Sequence, residues 1–566
     1  MLAAASPAAA QEPTTPTGAF TEEVSVRVLN IDVVVTDRTG KSVAGLSRDD
    51  FELRLDGETL PISNFYAQTH ETSRRVSARD TDTQRDPSFR SLEEIQAGSN
   101  RRTHVVILVD HSRLRASHRK RAFNALDEAV ASLGFDDLVS VVGIESGLVF
   151  YSDFLFDRAA ISRILDDVKR VSFRSDLTEI ERRQIFGELE RGSSGGIQAR
   201  ASLAEDQLIN SRIRAYANQE FERGIQSLRQ IQTVVSTMAG IPGRKTLLYV
   251  GEGIPTRPGE GLYVEFRNRF AGPERGLRHT DFNNDYTRAV GNFDLTAPMQ
   301  QLADSANRAG VTIYSIDANG NHGGDIRSAL TEQGATSEAI SVIEENYRAP
   351  LEFVSKATGG RLLLSSGKLA DQLVGLVGEM RTFYSLGFTP PATWEPGSEH
   401  RVKVRIKGER YRVSHREEIR LPKADEREAG ATVAALMYQT LDNPLQISAK
   451  PGFEVPREDE AAVLPINIEI PINKLGFLPK DAAQSGSLTI YVSTKDVKGN
   501  AGKVQKIPFH LAIPDDKMAE ALQNSAHYPL PLVLRQGDQQ VAIGVRDNVS
   551  GLFSAVRLDI AQYSRF

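Results

Sequence analysis

At 566 residues, with 40% hydrophobic and 25% charged residues, the chain has an ordinary globular composition and length enough for about three to five domains. A net charge of -6 and a pI near 6.0 argue against a nucleic-acid binder, which needs a basic surface. The chain has no cysteine, which excludes disulfides, thiolate metal sites and a cysteine nucleophile, and no stretch approaches the ~18 apolar residues of a membrane span.

Met1 to Ala10 (MLAAASPAAA) is rich in small residues and ends in Ala8-Ala9-Ala10 before Gln11-Glu12. That pattern resembles the cleavage region of a secretory signal peptide lacking its charged and apolar parts, so residues 1–21 are read as a leader remnant and linker. The expected location is periplasmic or extracellular. Residues 22–68 read as a small β-domain. Val24 to Thr36 is rich in valine and isoleucine, and Asp56-Gly57 closes a hairpin after Phe51 to Leu55. The polar stretch 69–100 is a linker.

From Arg101 the rhythm becomes strand, helix, strand. Val105 to Val109, Leu138 to Ile144, Thr246 to Val250, Val311 to Ile316, Arg361 to Leu364 and Phe383 to Phe388 are predicted strands. Between them lie predicted helices at Lys120 to Leu133, Asp157 to Val168, Ala204 to Ala239, Asp294 to Arg308 and Leu369 to Arg381. This alternation predicts a doubly wound, mostly parallel sheet with helices on both faces over residues 101–391. The remainder returns to β. Residues 392–428 hold a hairpin, of which 401–421 can return to complete the N-terminal β-domain. Residues 429–566 supply a short helix and strands spaced as in an immunoglobulin-like β-sandwich. The fold class expected is multidomain α/β plus β.

The stretch Thr103-His-Val-Val-Ile-Leu-Val-Asp-His-Ser112 carries the most chemistry. A buried parallel strand ends in Asp110 and Ser112 at the carboxyl edge of its sheet, where open α/β sheets bind ligands. Two hard oxygen donors two residues apart suit Mg²⁺ or Ca²⁺. They equally suit capping of the following helix, and that alternative stays open. His111 is a candidate base with Ser112 as its nearest nucleophile, but neighbours on a strand point to opposite faces. The chain has no His-Glu-x-x-His, no Gly-x-Ser-x-Gly and no Walker A loop. Asp317-Ala-Asn-Gly320 and Asp496-Val-Lys-Gly-Asn500 are turn-like and lack the EF-hand pattern.

Several segments in chain order resemble the VWFA-related proteins (von Willebrand factor type A, VWA), the exported bacterial family of acidobacterial type. These are Val33 to Lys41 with Gly45-Leu46 and Asp50-Phe51-Glu52, then Val106 to Asp110, Pro242-Gly-Arg-Lys245 with Gly251-Glu-Gly253, Ile313 to Asp317, Thr358-Gly-Gly360 and Tyr384 to Phe388. The resemblance implies a VWA domain and a metal-ion-dependent adhesion site with Asp-x-Ser-x-Ser on one loop, a Thr on a second and an Asp on a third. Here Asp110 and Ser112 match, Leu114 replaces the second serine, and Glu252 stands where Asp is usual. Thr178, or Ser175, is the second-loop candidate. The expected metal is Mg²⁺, or Ca²⁺ or Mn²⁺, on Asp110, Ser112, Thr178 and Glu252, in a degenerate site.

The function this implies is non-catalytic: an exported adhesion-type protein holding a protein partner or cell-surface component. The alternative is a structural or assembly subunit with a vestigial metal site. A metal-assisted hydrolase comes third, because no second ligand cluster or positioned base accompanies Asp110 and Ser112.

Overall fold

In the computed structural model the described residues are 29–68, 103–134, 137–171, 177–194, 203–270, 290–319, 330–332, 334–364, 368–408, 411–421, 423–438, 443–452, 455–456, 462–497, 499–534 and 538–560. The expectations for residues 1–21, for the linker 69–100 and for Ser175 lie outside them.

Four strands open the described chain: β1 (Leu29–Thr36), β2 (Phe51–Leu55), β3 (Glu58–Leu60) and β4 (Asn64–Gln68). The β2–β3 turn sits on Asp56 and Gly57, both at positive φ (51° and 91°). That is the geometry for which Asp-Gly is suited. The central sheet follows, from β5 (Thr103–Asp110), β6 (Leu138–Ile144), β7 (Leu148–Phe150), β8 (Arg244–Gly251), β9 (Val311–Asp317) and β10 (Leu362–Leu364). Its order is β10-β9-β8-β5-β6-β7, and every pairing is parallel except that of the edge strand β7. Every residue of β5 is buried, as its unbroken apolar run requires of a strand covered on both faces. Alternate residues divide between two cores. Val106 and Leu108 face the helices Leu203–Met238, Thr296–Ala309 and Ser337–Ala357. Val105, Ile107 and Val109 face Ala116–Ser132, Arg158–Arg170 and Leu369–Met380. The strand order reverses between β5 and β8, so the crevice of a doubly wound sheet opens between the loops after Asp110 and Gly251.

A third core, of Ile185, Phe186, Ile213, Tyr216, Phe266 and Ile343 among others, joins the helices Leu177–Ser194 and Glu260–Phe270 to the first half of Leu203–Met238. Through these helices the carboxyl edge of the sheet is roofed.

Phe383–Phe388 departs from expectation. As β11 it leaves the parallel sheet and pairs antiparallel with both β1 and β4. The reason is visible in its side chains. The Tyr384 ring packs against Phe51 and Phe65, and its hydroxyl donates to the Val43 carbonyl (2.8 Å) and accepts from the Leu46 N–H (3.2 Å). After it come β12 (Glu399–Ile406), β13 (Arg412–Ser414) and β14 (Glu418–Arg420), which give two four-stranded sheets, β13-β1-β11-β4 and β14-β12-β2-β3, around one core.

The C-terminal part begins with the helix Ala424–Tyr438. Two antiparallel sheets then face each other across a core of Leu464, Ile466, Ile468, Ile490, Val492 and Ile543 among others. The helix ties this unit to the central one. Tyr438 is buried with its hydroxyl 2.8 Å from that of Thr237, and a Cβ at Gly240 would lie 2.0 Å from backbone atoms of Gly430 and Ala431. Arg557 adds an ion pair to Asp153 (2.9 Å). The chain is thus mixed α/β, with one mostly parallel sheet and several antiparallel ones. Among the described residues no helix is long and apolar enough to cross a membrane.

Candidate functional site

Strand β5 delivers Asp110, fully buried, to the reversal point of the sheet. Its carboxylate accepts from the Ser112 hydroxyl (2.5 Å) and from the Tyr249 hydroxyl (3.0 Å) on the neighbouring β8. It makes no side-chain cap to the short helical turn His111–Arg113. The carboxylate that serves the start of helix Ala116–Ser132 is that of Glu252 instead. It accepts from the Arg115 backbone N–H (2.6 Å) and pairs with the Arg115 guanidinium, while His118 Nδ1 lies 3.1 Å away. An acid beside a helix N-terminus complements the exposed N–H groups there.

Thr178, near the start of helix Leu177–Ser194, does come close to Ser112, and an arginine stands between them. Arg223 donates to the Thr178 hydroxyl, to the Ser112 carbonyl (2.6 Å) and to the Glu220 carboxylate. Glu220, only 2% exposed, also pairs with Arg113 (3.4 Å), whose Nε donates to the Ser227 hydroxyl (3.2 Å). A second pair, Arg182 with Glu179, lies in the same roof. The structure therefore brings the Ser112 carbonyl and the Thr178 hydroxyl onto one guanidinium, leaves Asp110 bonded to the Ser112 and Tyr249 hydroxyls, and turns Glu252 to the helix start. Asp317, also fully buried, accepts from the Asn319 N–H (3.0 Å). The Asp496 loop closes on itself, its carboxylate accepting from the Asn500 N–H (2.8 Å).

The electrostatics follow from burial and pairing. Burial works against the charge on Arg113, yet Glu220 and Asp110 outweigh it and raise its pKa. Burial likewise opposes ionisation of Glu220, and Arg113 and Arg223 overcome it, so its pKa is lowered. Glu252 is lowered too, His118 and Arg115 prevailing over burial. His111 is different. Burial, with Arg119 nearby, pushes it down to about 4. Its Nε2 lies 3.4 Å from the Tyr151 hydroxyl, which itself donates to Glu145. His111 faces Tyr151 while Ser112 faces Asp110, so these neighbours do not form a base–nucleophile pair.

Of the four expected metal ligands, the Thr178 hydroxyl is taken by Arg223, which also holds the Ser112 main-chain carbonyl, and Glu252 is held by Arg115. A divalent cation there would stand against the fixed charge of Arg223, so the residues as placed do not fit it. Among the described residues no group of three or more His, Asp or Glu side chains is gathered as a metal site. Sequence reasoning missed Glu220 and Arg223. A signal was present: Ile213, Ala217, Glu220, Gly224 and Ile231 share one helical stripe, and a glutamate on an otherwise apolar stripe asks for a buried partner.

No protein-family model and no curated protein matches the chain. Among solved structures, the X-ray structure of the Northeast Structural Genomics Consortium target SoR45 is similar over 21% of this chain and 88% of its own, at 17% identity and a TM-score of 0.15. A β-glucosidase from Listeria innocua, in complex with gluconolactone, is similar over 80% of this chain and 45% of its own, at 10% identity and a TM-score of 0.12. Neither likeness bears on fold or function.

Proposed function

We propose that this chain is a non-catalytic binding and assembly protein, whose central unit is a VWA-like domain with a guanidinium in place of the adhesion-site metal. The observation that carries the proposal is Arg223, bonded at once to the Ser112 main-chain carbonyl, the Thr178 hydroxyl and the Glu220 carboxylate. The VWA-like reading draws support from the β10-β9-β8-β5-β6-β7 order with its one antiparallel edge strand, and from Asp110 and Ser112 at the point of reversal. The two facing C-terminal sheets support an immunoglobulin-like sandwich. Export rests on the Met1 to Ala10 pattern alone. A protein partner or cell-surface component would meet the roofed carboxyl edge by surface complementarity, with no bridging cation.

The test is calorimetric titration of the full chain with Mg²⁺, Mn²⁺ and Ca²⁺, with Asp110→Ala as control. The expected result is no saturable binding, and a copurifying partner retained equally with and without chelator. Saturable binding lost in the variant would overturn the proposal and return the site to metal-dependent adhesion.

A further inference from the structure

At the opposite end of the central sheet a cavity of about 450 Å³ separates the amino ends of β8 and β9 from the β13-β1-β11-β4 sheet. Pockets of roughly 300–1,000 Å³ hold small ligands. Strand alternation explains its polar wall. Ile31 and Val33 face the β core, so Asn30 and Asp32 face the cavity. Ser385 lies opposite Asp32 in register, and Tyr66 opposite Ser385, which carries the wall across three strands.

Two cations converge on this space. A Cβ at Gly310 would lie 3.3 Å from Arg416 Nη1 and 3.7 Å from Lys245 Nζ. Among the described residues both side chains are hydrogen-bonded to neutral acceptors alone, Lys245 to the Ile241 carbonyl (3.0 Å) and Arg416 to the Asn30 carbonyl. Among the described residues no carboxylate lies within 4 Å of either. Asp32 is the acid that both feel at longer range. Burial, and then the Arg416 charge, pull Lys245 down to about 8, and Asp32 offsets this only in part, as expected of like charges crowded together with one distant acid. Arg244 beside them is engaged elsewhere, donating to the Met380 carbonyl and lying 4.6 Å over the Phe383 ring. Tyr66 and Phe383 supply an aromatic flank to the same cavity.

We propose that this inter-unit cavity is a binding site for a small organic acid, its oxyanion seated between Lys245 and Arg416 and its body against Tyr66 and Phe383. The site is independent of the carboxyl edge and of the function proposed for it. Arginine supplies a planar fork and lysine a point charge, a pairing suited to a carboxylate or phosphate head.

The experiment is calorimetric titration of the full chain with inorganic phosphate, benzoate and phenyl phosphate at constant ionic strength. One saturable site is expected, with phenyl phosphate tighter than inorganic phosphate because only it reaches the aromatic flank. A benzoate affinity above that of phenyl phosphate would assign the head as carboxylate, and the reverse as phosphate. Lys245→Met and Arg416→Met should each weaken binding at least tenfold, and Lys245→Arg should retain it. Tyr66→Ala should remove the preference for phenyl phosphate and leave inorganic phosphate unchanged. Thermal melting supplies a second readout, an upward shift with probe in the parent chain that both methionine variants lack. Absence of saturable binding by all three probes, or binding unchanged in both methionine variants, would overturn the proposal.

Discussion

The buried charge cluster behind the candidate site makes a sharp prediction about stability. Glu220 is 2% exposed and lies between Arg113, itself 6% exposed, and the more accessible Arg223. Glu220→Gln removes the paired negative charge and leaves Arg113 buried with the Ser227 hydroxyl and the Gly253 carbonyl as acceptors and Asp110 as its nearby acid. Breaking one side of a buried pair costs about 3–5 kcal/mol, because the remaining charge is stranded away from water. Arg223 keeps access to solvent and adds little. A loss of that size is a large share of the roughly 5–15 kcal/mol that holds a domain folded. Replacing both partners with apolar groups, Arg113→Met with Glu220→Leu, removes the stranded charge, and such exchanges come out near neutral. The assay is urea unfolding followed by far-ultraviolet circular dichroism, which reports chiefly on the helices of the central unit. The double variant should be more stable than the sum of the two single losses by about 3 kcal/mol. A Glu220→Gln variant within about 1 kcal/mol of the parent, or a double variant no better than additive, would refute the reasoning.

Three further outcomes are expected. His111 has a folded pKa of about 4 against an ordinary 6.5, so between those values the unfolded chain binds more protons. Stability should therefore fall, by up to about 3 kcal/mol, as pH drops through that window, and the difference in slope against His111→Phe, measured by urea midpoints at each pH, checks it. Gly240→Ala forces a Cβ into the backbone of Gly430 and Ala431. It should loosen the Ala424–Tyr438 helix by about 3 kcal/mol, the upper part of the range for overpacking, seen as faster proteolysis after residue 438. By contrast Asp153→Ala removes a partly exposed ion pair with Arg557 and should cost less than about 1 kcal/mol in the same assay. A loss as large as that of Gly240→Ala would show that charge, not packing, docks the C-terminal unit.

Much of the central sheet was legible because its strands are unbroken apolar runs separated by helical periodicity. β5, β6, β8 and β9 lie where those runs lie, and the long helix Leu203–Met238 is within a residue of its expected ends. The placement of Phe383–Phe388 was not legible. An apolar run reports burial but not which sheet buries it, and β11 is chosen by β1 and β4, remote in sequence. For the candidate site, Asp110 and Ser112 could be named from residue type and order, and Thr178 only as one of two positions the resemblance implied. What surrounds them could not, since Arg113, Glu220 and Arg223 are charges that an exposed helix face would also carry. Only their partners, fixed by the roof of helices over the sheet edge, reveal that Arg113 and Glu220 are interior and that Arg223 closes over them.

The long return that completes the N-terminal sheets has a consequence for how the chain is made. The hydrogen bond from Tyr384 to Val43 spans 341 residues, and β1 and β2 find their main partners only in β11 and β12. At roughly 10 residues per second, about half a minute of synthesis separates the two halves. In that interval Ile31, Val33, Val35 and Leu53 have no core to enter, although the central sheet can already close on local crossovers. A chain ended after residue 380 should accordingly keep a folded central unit while residues 29–68 are cut freely by protease, and protection of that segment would contradict this order. The strands made first are housed only after the central sheet has closed, and during that wait they are the part of the nascent chain most in need of a chaperone.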